Sequence, residues 1–169
     1  MTNAIAQSLL ADLAREARLT KKILDAVPEE QFAFRPHPKS WTIAQLAGHL
    51  AEAPMWAHGF LEDEMDFAQM GDYQPFVPKD KAELLATLDK NLATCTESLG
   101  MLDDAAMHRD WTARMGDKVL SSSPRHEVAR DVLIHHWIQH RGQLQVCLRL
   151  CDVPVPPTYG PTADVTEWS

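Results

Sequence analysis

Apolar residues recur along the chain mostly at intervals of three or four, the period of an amphipathic α-helix. The pattern predicts four long helices with approximate bounds 3–27, 40–61, 79 or 80 to 102, and 124–150. The first and third helices show their apolar stripes clearly: Ile5, Leu9, Leu13 and Ala17, then Leu84, Leu88, Leu92, Cys95 and Leu99. Strand signals are weak, so the sequence predicts an all-α fold, a four-helix bundle.

Prolines and capping residues indicate where these helices begin and bend. Ser40 is the predicted N-cap of the second helix, and Pro124 begins the fourth at a first-turn position. Pro54 lies inside the second helix, where its missing N–H should bend the helix just after His49. The proline-rich segment 153–161 cannot be helical, and we expect it to lie over the surface of the bundle.

The segment 103–124 between the third and fourth helices shows no helical period. Its sequence from Trp111 to Leu120, with Gly116 and Asp117 in the middle, fits either a short hairpin or an irregular crossover. About 20 residues separate the two helices, which permits a long crossover connection instead of a tight antiparallel turn.

Composition narrows the class of protein. A length of 169 residues fits one domain over 1–169, and the formal charge of −8 disfavours nucleic acid as a partner. The chain has neither a run of about 20 apolar residues nor the features of a signal peptide, so we expect no membrane span and a cytoplasmic location. In a reduced compartment, Cys95, Cys147 and Cys151 are expected to be buried small hydrophobes without disulfides.

Three histidines fall on the apolar stripes of two predicted helices. His136 and His140 are four residues apart, so their side chains lie one turn above each other on one helix face. His49 shares its stripe in the second helix with Leu46 and Trp56. An inward imidazole without a partner is costly, so three of them together predict a shared metal ion. The alternative for each is an ordinary histidine satisfied by a hydrogen bond.

The remaining histidines are expected to lie away from this site. His135 neighbours His136 but points about 100° around the helix from it. The others lie in loops, in the crossover, in a first turn, or off the stripe of the second helix: His37, His108, His126 and His58.

Three neutral imidazoles suit zinc, nickel, Fe(II) or Cu(II), and suit magnesium or calcium poorly. A set of three protein ligands leaves a position open, where a bound water ionises near pH ~7 and a bound thiol loses its proton. The sequence offers no reliable fourth ligand. Glu52 could be an outer hydrogen-bond acceptor, a base or a solvated carboxylate, and Gln143 is similarly ambiguous. Cys147 lies about 10 Å along the helix axis from His140, too far to share its ion.

Three segments together resemble the DinB/YfiT-like metalloprotein superfamily. They are SWTIAQLAGHL at 40–50, HWIQHRGQL at 136–144 and PVPPTYGP at 154–161, and the resemblance spans nearly the whole chain. It implies an up-down-down-up bundle and a divalent metal, often nickel or zinc, held by residues that correspond to His49, His136 and His140. Many members have a histidine directly before the last ligand, where this chain has Gln139; that position is usually not a ligand.

The resemblance also implies an activity. Characterised members are chiefly thiol-dependent: S-transferases that use bacillithiol or mycothiol, and a mycothiol-dependent maleylpyruvate isomerase. The prediction is therefore a cytoplasmic homodimer with one divalent metal, nickel or zinc, that acts with a low-molecular-weight thiol on a small electrophile. The alternatives are a metal-dependent hydrolase, a non-catalytic metal-binding or stress-response bundle, and a helical interaction protein without metal.

Overall fold

The computed structural model of the chain describes residues 2–167, which form four long helical segments and a small sheet. The helices are α1 (Ala4–Asp25), α2 (Ile43–Glu52), α3 (Lys81–Gly100), α4 (Asp104–His108), α5 (Arg125–Arg130) and α6 (His136–Leu150). Three further helical turns have 3-10 geometry: Glu29–Gln31, Ala53–Leu61 and Phe67–Met70. A π-helical turn, Asp131–His135, joins α5 to α6, so α5, this turn and α6 form the fourth long segment.

The second helix begins two residues later than the sequence predicted. Thr42, and not Ser40, is its N-cap: the Thr42 hydroxyl accepts the N–H of Gln45 at 3.2 Å. The Gln45 side chain in turn accepts the N–H of Thr42 at 3.0 Å, which completes a capping box. Ser40 and Thr42 are both good capping residues, and only the glutamine three positions after Thr42 distinguishes them.

The helix was predicted to bend just after His49; at this place it changes instead from α-helical to 3-10 geometry. α2 ends at Glu52, and the chain continues as the 3-10 helix Ala53–Leu61, with Pro54 in its first turn. Proline has no N–H to donate, so the α-helical bonding cannot continue through this point. The helical segment thus reaches Leu61 as predicted, with tighter geometry in its second half.

A three-stranded sheet corrects the all-α prediction. Its strands are β1 (Glu64–Asp66), β2 (Asp110–Met115) and β3 (Lys118–Pro124), in the order β1-β2-β3. β2 and β3 form the antiparallel hairpin that was one of two alternatives for the crossover, and β1 pairs with β2 in parallel. Gly116 has a φ of 58° in the two-residue hairpin loop, a conformation that glycine adopts without strain.

Contacts between the long segments show their relative directions. α1 runs antiparallel to α3: Lys81 near the start of α3 bonds to the carbonyl of Asp25, and Asp104 just after α3 accepts the N–H of Ile5. α2 runs antiparallel to the fourth segment, since Trp41 packs on His140 and Trp56 on His136.

α1 and the fourth segment run in the same direction, because Asp12 pairs with Arg130 and Glu16 with Arg141. The stripes predicted for α1 and α3 face the core: Leu9, Leu13, Leu84, Leu88, Cys95 and Leu99 are buried.

Among residues 2–167, no helix has both the length and the apolar character needed to cross a bilayer. Cys95 and Cys147 are buried, Cys151 is partly buried, and all three are free thiols.

The proline-rich tail lies against the bundle, as predicted, and a buried arginine fixes it there. Val155 is buried, and the Tyr159 hydroxyl donates to Glu16 in α1. Arg141 of α6 donates to the same Glu16 carboxylate at 2.7 Å and to the Tyr159 oxygen at 2.6 Å. This network joins α1, α6 and the tail one residue after His140.

The loop 71–78 packs directly on α2 at a glycine. A Cβ atom on Gly48 would lie 1.8 Å from the Phe76 carbonyl oxygen, far inside van der Waals contact. Only glycine therefore permits this approach. The same contact places Tyr73, which lies in this loop, close to His49, the residue after Gly48.

Gly48→Ala is expected to destabilise the protein and displace this loop, because overpacking of this kind typically costs ~1–3 kcal/mol. Urea denaturation monitored by circular dichroism measures the loss of stability. Gly142→Ala is the matched control, since Gly142 also lies in a helix and nothing lies within 4 Å of its Cβ position. That variant should be as stable as the wild type or more so, by up to ~1 kcal/mol. Equal stability of the two variants would contradict the steric explanation.

Candidate metal centre

The three histidines selected from the sequence meet at one point in the structure. His49 lies in α2, and His136 and His140 lie one turn apart at the start of α6. Their Nε2 atoms face one another: His136 is 3.3 Å from His49 and 2.9 Å from His140. Within residues 2–167, no other group of three histidine, cysteine, aspartate or glutamate side chains comes together in this way.

Hydrogen bonds on the outer ring nitrogens determine where two of the protons lie. The Gln143 side-chain oxygen lies 2.9 Å from Nδ1 of His140, so that nitrogen donates. The Tyr73 hydroxyl donates to Glu52, so its oxygen accepts from Nδ1 of His49 at 2.9 Å. With the proton on Nδ1, each of these two rings presents a lone pair at Nε2, towards the centre.

This donor set fits a metal ion. A proton on Nε2 of His136 could satisfy only one of the two lone pairs that face it, whereas a cation at the centre can accept all three nitrogens at once. Orientation of a ligating histidine by a hydrogen bond on its other nitrogen is the usual arrangement in metal sites. The described residues thus provide three nitrogen donors, two of them with their outer nitrogens held by neighbouring side chains.

His136 and His140 are in the protonation state that a metal needs. Burial and the neighbouring His140 and His49 lower the pKa of His136 to about 4, although the nearby backbone of Val132 opposes this effect. Burial also lowers the pKa of His140, against the effect of its bond to Gln143. Both rings are therefore neutral at pH 7.

A lowered histidine pKa makes the stability of the metal-free protein depend on pH. The unfolded chain binds a proton at this position below pH ~6.5, whereas folded His136 does so only near pH 4. The contribution of His136 to the free energy of unfolding is therefore fully present above pH ~6.5 and is lost as the pH falls towards 4. Melting temperatures of metal-free protein between these values should fall less steeply in His136→Ala than in the wild type. Equal slopes of melting temperature against pH in the two proteins would contradict the lowered pKa of His136.

A π-helical turn directly precedes His136. It spans Asp131–His135, and α6 begins at the histidine itself. Such turns are rare and occur frequently at functional sites. His135, within the turn, is exposed and bonds to Asp131 at 2.8 Å, so it is not part of the centre, as predicted. No feature of the apolar pattern predicts this turn.

Aromatic rings enclose the histidines from two sides. Trp41 stacks on His140 with 5.8 Å between ring centroids, and Trp56 stacks on His136 with 5.6 Å. His49, which is 2% exposed, meets both indole rings edge-on. These contacts fix the ring orientations and reduce the access of water. The stripe of α2 included Trp56, and Trp41 belongs to the segment 40–50 that carries the family resemblance, but the apolar pattern placed neither Trp41 nor Tyr73 at this site.

The structure decides between the alternatives for Glu52 and Gln143. Glu52 is buried, accepts the Tyr73 hydroxyl and the N–H of Phe76, and lies 3.5 Å from Nδ1 of His49. It therefore fixes the loop 71–78 and lies against His49, and the alternative of a solvated carboxylate is wrong. Gln143 orients His140 by its hydrogen bond to Nδ1. The remaining histidines lie apart from the centre, as predicted: His37, His58, His108 and His126.

A cavity of about 500 Å³ opens beside His140. Its lining combines the apolar side chains of Trp41 and Leu46 with polar groups from Lys39 and Gln143. Cavities of this size hold small ligands. The histidine centre is therefore adjacent to space for a small molecule.

Comparisons with known proteins agree with this description. The family model of the DinB superfamily matches residues 12–144 of the chain. The protein YrdA of Bacillus subtilis is 23% identical over 161 residues, which cover 91% of this chain and 86% of YrdA.

Two solved structures share the fold. A DinB-like protein from Bacillus cereus has a TM-score of 0.69 at 23% identity, over 90% of this chain and 97% of that protein. YfiT from Bacillus subtilis, described as a probable metal-dependent hydrolase with an unusual four-helix bundle topology, has a TM-score of 0.65 at 16% identity, over 88% and 89% of the two chains. The family match extends over most of the sequence, from α1 to α6, and the chain belongs to the DinB superfamily.

Proposed function

We propose that the chain is a metal-dependent enzyme that transfers a low-molecular-weight thiol to a small electrophile. His49, His136 and His140 would hold one divalent ion, for which nickel and zinc suit three imidazole donors. The observation that carries the proposal is the convergence of the three Nε2 atoms, with the outer nitrogens of His49 and His140 held by hydrogen bonds.

The surroundings favour a thiol over water as the nucleophile. A divalent metal, when bound, lowers the pKa of a thiol or a water in its open position. In helical zinc hydrolases a free glutamate commonly acts as the base for the water. The carboxylate next to these histidines is Glu52, and its oxygens already accept two hydrogen bonds from the loop 71–78.

The cavity beside His140 has the properties expected of a site for a small thiol. Lys39 offers a positive charge to a carboxylate of the thiol, and Trp41 offers an apolar surface to its carbon chain. The other wall contains His140 itself, so a ligand in this space would lie beside the histidine centre.

A metal-dependent hydrolase is the second candidate. It is supported by the likeness in fold to YfiT and by a set of three protein ligands, which leaves a position for water. The two candidates differ in whether a thiol or a water occupies this position. A non-catalytic metal-binding bundle would need neither.

We also propose the up-down-down-up order of helices for the bundle. It is supported by the directions of the contacts: α1 and the fourth segment run the same way, and α3 runs against α1. A long crossover, containing α4 and the β2–β3 hairpin, joins α3 to the fourth segment.

Cobalt substitution tests the choice of nucleophile. We expect the visible spectrum of the cobalt protein to gain a sulfur-to-metal charge-transfer band when cysteine, glutathione, bacillithiol or mycothiol is added. Lys39→Ser should weaken the response to cysteine, glutathione and bacillithiol, which carry carboxylates. It should leave the responses to azide and to mycothiol, which carries no carboxylate, unchanged. A spectrum that changes with azide but with none of the thiols would favour the hydrolase. A spectrum that changes with neither would indicate a closed, structural ion.

A further inference from the structure

A second cavity, of about 380 Å³, lies where the 3-10 helix Ala53–Leu61, the segment 64–73 and β2 meet. It is distinct from the cavity beside His140, and the two share no lining residue. Two of its lining residues, Trp56 and Tyr73, also contact the histidines. Its position is therefore next to the candidate metal centre but separated from it by side chains.

The lining of this second cavity is apolar and carries no charged side chain. The lining consists mainly of aromatic residues and methionines: Trp56, Phe60, Phe67, Tyr73 and Trp111, with Met65, Met70 and Met115. The polar atom of Trp111 is already occupied, since its N–H donates to the Gly59 carbonyl at 3.1 Å. An ion that entered would lose its hydration without gaining a charged partner, so the chemistry selects uncharged ligands.

Size and depth indicate a small molecule and not a protein surface. A cavity of roughly 150 Å³ lined by apolar side chains binds benzene, and this one is more than twice as large. Phe60 and Trp111 in its wall are only 2% and 5% exposed, so a flat partner could not reach them. Methionine side chains are flexible and polarisable, which allows such a wall to adapt to ligands of different shape.

The mouth of this cavity is apolar as well. Met70 is 46% exposed and Met115 is 50% exposed, and both line the cavity. Neighbouring exposed apolar residues of this kind are often functional in soluble proteins. Their position at the entrance is explained if an apolar compound enters between them.

Two residues that line this cavity also contact the histidines of the candidate metal centre. Trp56 stacks on His136 at 5.6 Å and meets His49 edge-on at 5.3 Å. The Tyr73 hydroxyl bonds to Nδ1 of His49. A ligand in the cavity would therefore contact two side chains that orient the imidazoles.

We infer that this cavity is a binding site for an uncharged, predominantly apolar small molecule about the size of two fused aromatic rings. Binding is a property of the Trp, Phe and Met lining and does not require the metal. The cavity would thus select an apolar molecule next to the histidine centre, whereas the centre by itself selects only metal-binding groups.

The experiment is a titration of the full-length, metal-free protein with N-phenyl-1-naphthylamine, an uncharged probe that fluoresces in apolar surroundings. We expect saturation at one probe per chain. 2-Methylnaphthalene should displace the probe, and 2-naphthoate, which differs by a carboxylate in place of the methyl group, should do so at least about tenfold less well. Because metal-free protein is used, the result is independent of the metal assignment.

Matched variants locate the binding. Met70→Glu and Met115→Glu place a carboxylate at the mouth and should weaken probe binding by about tenfold or more. Met101→Glu is the control, because Met101 is also exposed, at 65%, and lines none of the cavities described here. The inference is overturned by absence of saturable binding to the wild type, by equal displacement with the two naphthalenes, or by equal affinity of Met101→Glu and the two mouth variants.

Discussion

Replacing His49, His136 or His140 with alanine is expected to reduce the bound divalent metal to well below one ion per chain. Each ring supplies one of the three Nε2 atoms that face the same point, so its loss leaves two donors. Elemental analysis of protein purified without a histidine tag measures the stoichiometry. Circular dichroism of the same samples establishes that the helices remain.

Two controls separate these candidate ligands from other histidines in the same helical segments. His58 and His135 are exposed and lie outside the cluster, so His58→Ala and His135→Ala should retain the wild-type stoichiometry. Gln143→Leu should give an intermediate result, since removal of a hydrogen bond to a ligating histidine typically lowers metal affinity by about 10–100-fold. Full retention of metal by any of the three alanine variants would remove that histidine from the site.

The helices and the histidine cluster could be predicted because each depends on a short, repeated spacing. The 3.6-residue period recurs over several turns in α1 and α3, so single exceptions do not obscure it. His136 and His140 are adjacent on any α-helix, whatever the rest of the fold. Adding His49 required only that its stripe face the same core.

The sheet could not be predicted because its signals are too short or too polar. β1 has three residues, and its partner β2 lies more than 40 positions further along the chain. β3 is largely exposed and contains three consecutive serines, so it lacks the alternation of a half-buried strand. Its pairing with β2 depends instead on the hairpin loop at Gly116 and Asp117, which equally permitted an irregular connection.

The residues around the histidines were missed because long-range packing places them there. Tyr73 lies in a loop without periodicity, 24 residues after its hydrogen-bond partner His49. The approach of that loop depends on the absence of a side chain at Gly48, and a helical glycine does not by itself reveal such a contact. The π-helical turn before His136 has no established sequence pattern among the helix start and stop signals.

The motif that follows His140 has a structural role that the resemblance alone did not explain. Arg141 is 1% exposed, and its guanidinium donates to the Glu16 carboxylate, the Glu16 carbonyl, the Thr20 hydroxyl and Tyr159. The HRGQ and TYGP elements therefore meet in space through Arg141 and Tyr159. One residue of the motif, His140, belongs to the candidate metal centre, and the next, Arg141, fixes α6 to α1.

Arg141→Ala is expected to destabilise the protein by ~3–5 kcal/mol, because it leaves the Glu16 carboxylate, 6% exposed, without its cationic partner. Urea denaturation gives the free energy of unfolding. Arg149→Ala is the matched control: Arg149 also pairs with a carboxylate, that of Asp164, but on the surface, where such pairs contribute up to ~1 kcal/mol.

A double variant distinguishes loss of the ion pair from loss of packing. If the penalty comes from an uncompensated buried charge, Glu16→Leu combined with Arg141→Leu should be more stable than Arg141→Leu alone, since apolar replacement of a whole buried pair is often neutral. If Arg141 acts mainly by filling space, the double variant and Arg141→Leu should be equally stable. A loss in Arg141→Ala no larger than that in Arg149→Ala would show that the buried network does not hold α6 against α1.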